Sequence, residues 1–221
     1  MKLIFMGPPG SGKGTYAIRV GPKLGIPHIS TGHIFRNEIK SGSDLGKELD
    51  SYISKGNLVP DDLTVKILKK RIEEDDCKNG FILDGYPRTL EQAKMLNDIT
   101  KIDLVVNFHL AEHILIKKLS ARRICRDCGD IYNVADIREG DIHLPPMSPK
   151  EEGKCDKCGG ELYQRHDDTP EVIKERLRIQ AVKPEIIEYY RKANRVVDIN
   201  VIGPPEMMVP IIIDTIKRHD R

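Results

Sequence analysis

The 221-residue chain predicts an α/β fold, a parallel sheet covered by helices on both faces. Three observations carry this expectation. Short apolar runs of strand length occupy residues 2–6, 27–30, 81–83, 104–110 and 196–202. Segments with helical spacing, such as 13–24, 61–75 and 89–97, separate them, and parallel neighbours need crossovers of that size. The first run also passes through a glycine-rich loop directly into a helical pattern.

Taken in order, KLIFM is the first strand, too short and too abruptly ended by glycines to act as a leader peptide. The loop Gly7-Pro-Pro-Gly-Ser-Gly-Lys-Gly-Thr15 follows it and opens the first helix, the context that gives a phosphate-binding loop its meaning. Gly10, Ser11, Gly12 and Gly14 let backbone amides turn toward an anion at a helix N-terminus. Lys13 is placed for the outer phosphates of a nucleoside triphosphate, and Thr15 offers a hydroxyl to Mg²⁺ or a phosphate oxygen. The usual motif has Ser or Thr directly after the lysine; here Gly14 intervenes. The fold expectation thereby becomes a P-loop NTPase-like three-layer core.

Residues 31–59 read as two short helices split at SGSD, and 121–168 is rich in Gly, Pro, Cys and charge. Both interrupt the alternation and read as insertions at strand ends, where ligands of open α/β sheets bind. A last helix is expected near 206–218.

With 39% hydrophobic and 32% charged residues the chain reads as globular, one core with insertions. A net charge of +2 and few aromatics argue against a surface built to hold nucleic acid. No apolar stretch has the length of a membrane span, so a cytoplasmic protein without a membrane partner is expected. Four of the five cysteines form two CxxC pairs, Cys125 with Cys128 and Cys155 with Cys158. Four soft ligands with no open position favour a structural Zn²⁺. Cys77 reads as a small semi-buried thiol at a helix end, and His143 and His166 as surface histidines rather than ligands.

GPPGSGKGT, STGHIFR, GNLVPDDL and DGYPRTLEQA, in this order and spacing, resemble adenylate kinase of the long type with a zinc-binding lid. The resemblance extends from Lys2 to about Tyr190. It implies Mg²⁺-dependent transfer between ATP and AMP to give two ADP. The core would carry a helical AMP-binding insertion over 30–59 and a zinc-stapled lid over 121–168. On the AMP side it implies Thr31, Arg36, Asn57, Leu58, Val59, Gly85, Tyr86, Pro87, Arg88 and Gln92. It implies Arg122, Arg165 and Arg176 closing on the phosphates, with Arg165 and Arg176 also serving the AMP side, and Ile131 with Tyr132 touching ATP. Asp84 would organise Mg²⁺ through water; by itself it also reads as a cap for the following turn. The catalytic set is then Lys13, Arg36, Arg88, Arg122, Arg165 and Arg176.

Two positions depart from the family pattern. Lys118 stands where bacterial relatives usually have an arginine against the ATP adenine, and an ammonium stacks less well than a guanidinium. NVIGPPEMM replaces the usual glycine-rich segment near the ATP base, leaving Gly203 for that role. A kinase for UMP or CMP is the alternative within this architecture, and a P-loop protein using a zinc ribbon for nucleic acid the alternative outside it. The protein is expected to act as a monomer.

Overall fold

The computed structural model describes residues 1–54, 59–165 and 168–219. The core elements follow the expected alternation. Strand β1 (Lys2–Met6) leads to α1 (Lys13–Leu24), then β2 (His28–Ser30), α2 (Thr31–Ser41), α3 (Asp44–Ile53) and α4 (Asp61–Ile72). After a short 3-10 turn come β3 (Phe81–Asp84), α5 (Leu90–Ile99), β4 (Leu104–His109) and α6 (Glu112–Ser120). The lid segment contains β5 (Arg122–Cys125), β6 (Ile131–Asn133), β7 (Ile137–Glu139), β8 (Ile142–Leu144) and β9 (Leu162–Tyr163). The chain returns through α7 (Pro170–Ile179), α8 (Pro184–Arg191), β10 (Val196–Asn200) and α9 (Pro205–His219).

Five strands form one parallel sheet in the order β10-β4-β1-β3-β2. The central β1 is apolar on both faces because both are covered. Leu3 and Phe5 pack with Tyr16, Val20, Met208 and Ile212 on one side, and Ile4 and Met6 with Leu68, Leu96 and Ile186 on the other. Complete burial of one such side chain contributes about 1.5–3 kcal/mol, so this alternation fixes the register.

Local chemistry sets the helix ends. The SGSD split is a stop followed by a start: Gly42 ends α2 at φ 70°, and the Ser43 hydroxyl accepts from Gly46 N at 2.9 Å to cap α3. A Cβ on Gly46 would collide with the Glu38 carbonyl, so the two helices approach through glycine. Thr89 caps α5 by accepting from Gln92 N at 3.1 Å, while Pro170 and Pro184 open α7 and α8. Cys77 is more deeply placed than expected, 3% exposed in the 3-10 turn.

The segment 121–168 differs from a single protruding body. Strands β5, β6 and β9 form a small antiparallel sheet carrying the cysteines. The β7–β8 hairpin instead packs on the core. Ile137 and Leu144 join the cluster of Leu3 and Phe5, and His143 N donates to Ile202 O at 2.9 Å. Glu139 meets His113 at 3.0 Å and Lys117 at 3.7 Å on α6. His143 is exposed and pairs with Asp136 rather than a cysteine. His166 lies outside the described residues.

Candidate active site

The glycine loop lies where β1 ends and α1 begins. Gly12, at φ 96°, occupies the N-cap of α1, and a Cβ there would come within 2.8 Å of Tyr16. Glycine is therefore required twice over, by conformation and by space. Lys13 Nζ folds back on the loop, donating to Gly7 O at 2.7 Å and Pro8 O at 3.0 Å. The glycine after the lysine has a reason in the tertiary structure. A Cβ on Gly14 would stand 3.3 Å from Asp84 Oδ2, so a larger residue would crowd that carboxylate. The hydroxyl accordingly comes one place later, at Thr15.

Asp84 ends β3, in register with Phe5 on β1 and Ser30 on β2. Burial pushes its carboxyl up, but the hydrogen bond from His28 and the charges of Lys13, His28 and Arg88 outweigh that and hold it below the usual carboxylate range. His28 Nε2 is 3.3 Å from Asp84 Oδ2. Burial in turn lowers the Lys13 ammonium, with Asp84 opposing and Arg88 adding to the shift.

A cavity of about 1300 Å³ opens above the strand ends, beyond the roughly 300–1,000 Å³ usual for one small ligand. Arg36, Arg88, Arg122, Arg165 and Arg176 all line it, together with Lys13, Thr15 and Asp84. Gly10, Gly12, Gly14, Gly85, Tyr86, Pro87, Lys118, Ile131, Tyr132 and Gly203 also face it. The guanidinium groups press on one another. Burial first, then Arg165 and Arg122 among the surrounding charges, lowers the Arg36 pKa. Burial and Arg176 do the same to Arg88 against Asp84. Burial and Lys13 bring the Lys118 ammonium down to about 8. Such a concentration of cations stores a potential that polyanionic ligands relieve.

One acid answers part of that charge. Asp168, 1% exposed, accepts from Arg122 Nε and Nη2 at 2.9 and 2.6 Å and from Arg176 Nη1 at 3.3 Å. The sequence reading missed Asp168 and His28. Asp168 has a faint signal, an acid three places beyond Arg165; His28 has none, because its role needs β2 beside β3.

Four of the expected contact residues have buried or occupied side chains. Thr31 is buried and donates its hydroxyl to Gly85 O at 3.2 Å. The Gln92 amide is occupied, accepting from Arg88 N at 2.7 Å and donating to Asp61 Oδ1 at 2.6 Å. In this state it shapes the turn holding Arg88. Val59, two residues before α4, is buried, and the buried Ser11 hydroxyl has no partner among the described residues. Asn57 and Leu58 lie outside the described residues.

The four lid cysteines converge, with all sulfurs within 4.8 Å of one another. Cys125 and Cys158 sulfurs are 3.4 Å apart, and Cys128 and Cys155 sulfurs 3.6 Å. Disulfides would need about 2.0 Å, whereas a tetrahedron of thiolates at Zn–S of about 2.3 Å has edges of about 3.8 Å. The donor set thus fits a closed, four-thiolate metal site. A Cβ on Gly160 would strike the Asp127 carboxylate and approach Cys125 Sγ to 2.9 Å, so the second knuckle passes through glycine. Tyr132 is buried between Cys125 and Cys155. Its hydroxyl donates to Cys155 Sγ at 3.5 Å and accepts from Asp156 N at 2.7 Å.

A family profile described as adenylate kinase matches residues 5–195. The chain is 46% identical over 224 residues to an adenylate kinase of Thermosipho africanus, covering 99% of this chain and 100% of that protein. It is 47% identical over 206 residues to one of Archaeoglobus fulgidus, 90% of each chain, and 43% identical over 226 residues to one of Streptomyces avermitilis, covering 100% and 99%. A phosphate loop, a ring of arginines in one cavity and this likeness along the whole chain agree: the chain belongs to the adenylate kinase family.

Proposed function

We propose that the large cavity holds ATP and AMP with their phosphates facing, and that the arginine ring governs transfer of the terminal phosphoryl group to give two ADP. One observation carries the assignment of sites: a phosphate loop and the five expected arginines open into a single cavity, so a donor and a phosphate acceptor share one space. The triphosphate lies over Gly10, Gly12, Lys13, Gly14 and Thr15, with Lys118, Ile131, Tyr132 and Gly203 toward its base. The monophosphate lies by Arg36, Gly85, Tyr86, Pro87 and Arg88. Arg122, Arg165 and Arg176 stand over both.

The acceptor is a phosphate oxygen, already ionised near neutral pH, so the site needs no general base. What it supplies is alignment and charge. Lys13 leaves the Gly7 and Pro8 carbonyls for the phosphates, and the arginines neutralise charge spread over the transferring group. Mg²⁺, when bound with the triphosphate, offsets phosphate charge; Thr15 and Asp84 are the residues placed to hold its water shell. The Arg122–Asp168–Arg176 cluster keeps two guanidiniums at the cavity before ligands arrive.

The tetrathiolate holds a structural Zn²⁺ that gives the small β5–β6–β9 sheet a core it otherwise lacks. This is a brace for the lid over 121–168, while 30–59 forms the monophosphate arm. Among the described residues of the lid, the two tyrosines are not free to serve a nucleic-acid reading as a stacking platform. Tyr132 is buried on the cysteines, and Arg126 covers the Tyr163 ring at 4.5 Å. Among the described residues no helix is long and apolar enough to cross a membrane; a cytoplasmic monomer fits this reading.

A coupled assay with ATP, Mg²⁺ and each of AMP, GMP, CMP and UMP tests it. We expect AMP to be preferred. Preference for CMP or UMP would overturn the monophosphate assignment and leave the triphosphate site standing.

A further inference from the structure

Tyr132 belongs at once to the two sites of the lid. It lines the nucleotide cavity and is buried in one cluster with Cys125 and Cys155. Its hydroxyl is fully engaged: the proton is directed at Cys155 Sγ, 3.5 Å away, and the oxygen accepts from Asp156 N at 2.7 Å. The amide bond fixes the oxygen, so the O–H has one direction left. A donor aimed at a ligating thiolate withdraws charge from it and fixes its orientation, and such outer contacts decide how well a metal is held. Tyr132 also sits in the middle of β6, paired with Arg123 on β5, next to Arg122. A ligand held by Arg122 and the β6 backbone therefore presses on the strand pair that carries the Cys155 contact.

We propose that Tyr132 is a positioning residue for the lid metal, and that through it metal retention is coupled to occupancy of the triphosphate site. The coupling rests on the proposed placement of ATP beside β6; the metal contact does not. Linkage makes the effect reciprocal in affinity: a nucleotide that holds β6 tightens metal binding, and loss of metal weakens nucleotide binding by the same factor; slower metal release is the kinetic sign of the tighter site.

The test is zinc release from the intact holoprotein to a chromophoric chelator, with and without a saturating non-hydrolysable ATP analogue. Wild type should release zinc several-fold more slowly when the analogue is present. Tyr132→Phe keeps the ring and removes the hydroxyl; it should release zinc about tenfold faster and lose most of the nucleotide protection. Replacement of zinc by Co²⁺ gives a readout that mere loosening of the lid does not reproduce. The thiolate-to-cobalt charge-transfer band should move to lower energy in Tyr132→Phe, because an unassisted thiolate is the better electron donor.

Release and spectrum identical to wild type would overturn the role of Tyr132. Faster release with undiminished protection by the analogue would overturn the coupling. Calorimetry of analogue binding to wild type separates these from failure of the nucleotide assignment: an analogue that does not bind refutes that assignment, whereas one that binds without slowing release refutes the coupling. Should Tyr132→Phe lose its zinc on purification, the cobalt spectrum of Asp156→Pro, which removes the amide that orients the hydroxyl, supplies the comparison, with Asp156→Ala as the control for loss of the carboxylate that accepts from Lys150 N; a band in Asp156→Pro unshifted from that of Asp156→Ala would count against the proposal.

Discussion

Arg88 is the residue where the electrostatic account is most exposed to test. Its Nε donates to Gly85 O at 2.9 Å and its backbone N to Gln92 at 2.7 Å, so the side chain is aimed by the turn after β3 before any ligand binds. Arg88→Ala should fold normally and lose about 2–4 kcal/mol of transition-state stabilisation, roughly 30- to 1,000-fold in turnover. Steady-state kinetics check this, and near-wild-type turnover would refute the role. Lys118 gives a pH signal. Its pKa of about 8 reflects burial and Lys13, and the phosphates of ATP would raise it again. A group whose pKa rises on binding takes up a proton between the free and bound values. ATP binding near pH 8 should therefore be accompanied by proton uptake, and affinity should fall as pH rises above 8. Calorimetry in buffers of different ionisation enthalpy measures the uptake; Lys118→Arg, charged throughout, should reduce it, and unchanged uptake would point to Lys13 alone.

Among the elements, the small sheet β5–β6–β9 is the one with the least apolar support. Its described core is Cys125, Tyr132 and Cys155, with Cys128 and Leu162 beside them. In the proposed tetrathiolate site, metal ligation substitutes for a hydrophobic centre. Removal of zinc by a chelator should leave amides of β1, β3 and β4 protected from hydrogen exchange and expose those of β5, β6 and β9. Equal protection in both forms would mean that the sheet stands without metal. The β7–β8 hairpin should resemble the core rather than the knuckles, because Ile137 and Leu144 are buried with Leu3 and Phe5.

For the whole molecule, two cations of the ring, Arg122 and Arg176, share the buried acid Asp168. Breaking a buried ion pair by removing one partner typically costs about 3–5 kcal/mol, because the remaining charge is left uncompensated. Asp168→Ala should thus lower the melting temperature of the nucleotide-free protein. Here Arg122, which loses both of its bonds to Asp168, lines the cavity proposed to take the phosphates, so ATP analogue and AMP together should recover more stability in the variant than in wild type. Differential scanning calorimetry with and without both nucleotides makes the comparison; an equal shift in the two proteins would separate Asp168 from the site.

By itself the sequence determined the alternation of elements, the phosphate loop and the two CxxC pairs. Each is a local pattern: strand and helix periods, glycine where φ is positive, ligands at fixed spacing. Even the SGSD break between α2 and α3 was legible, since its glycine and serine act on adjacent backbone. What only the tertiary structure decided depends on neighbours far apart in the chain. Gly14 follows Lys13 because β3 brings Asp84 against it. Gln92 turns to Arg88 and Asp61 because α4 and α5 meet. Asp168 restrains Arg122, 46 residues away, and the lid hairpin rests on the core through residues whose partners no spacing rule identifies. Burial and charge are properties of the assembled sheet and its insertions, and they choose these partners only once the strands are side by side.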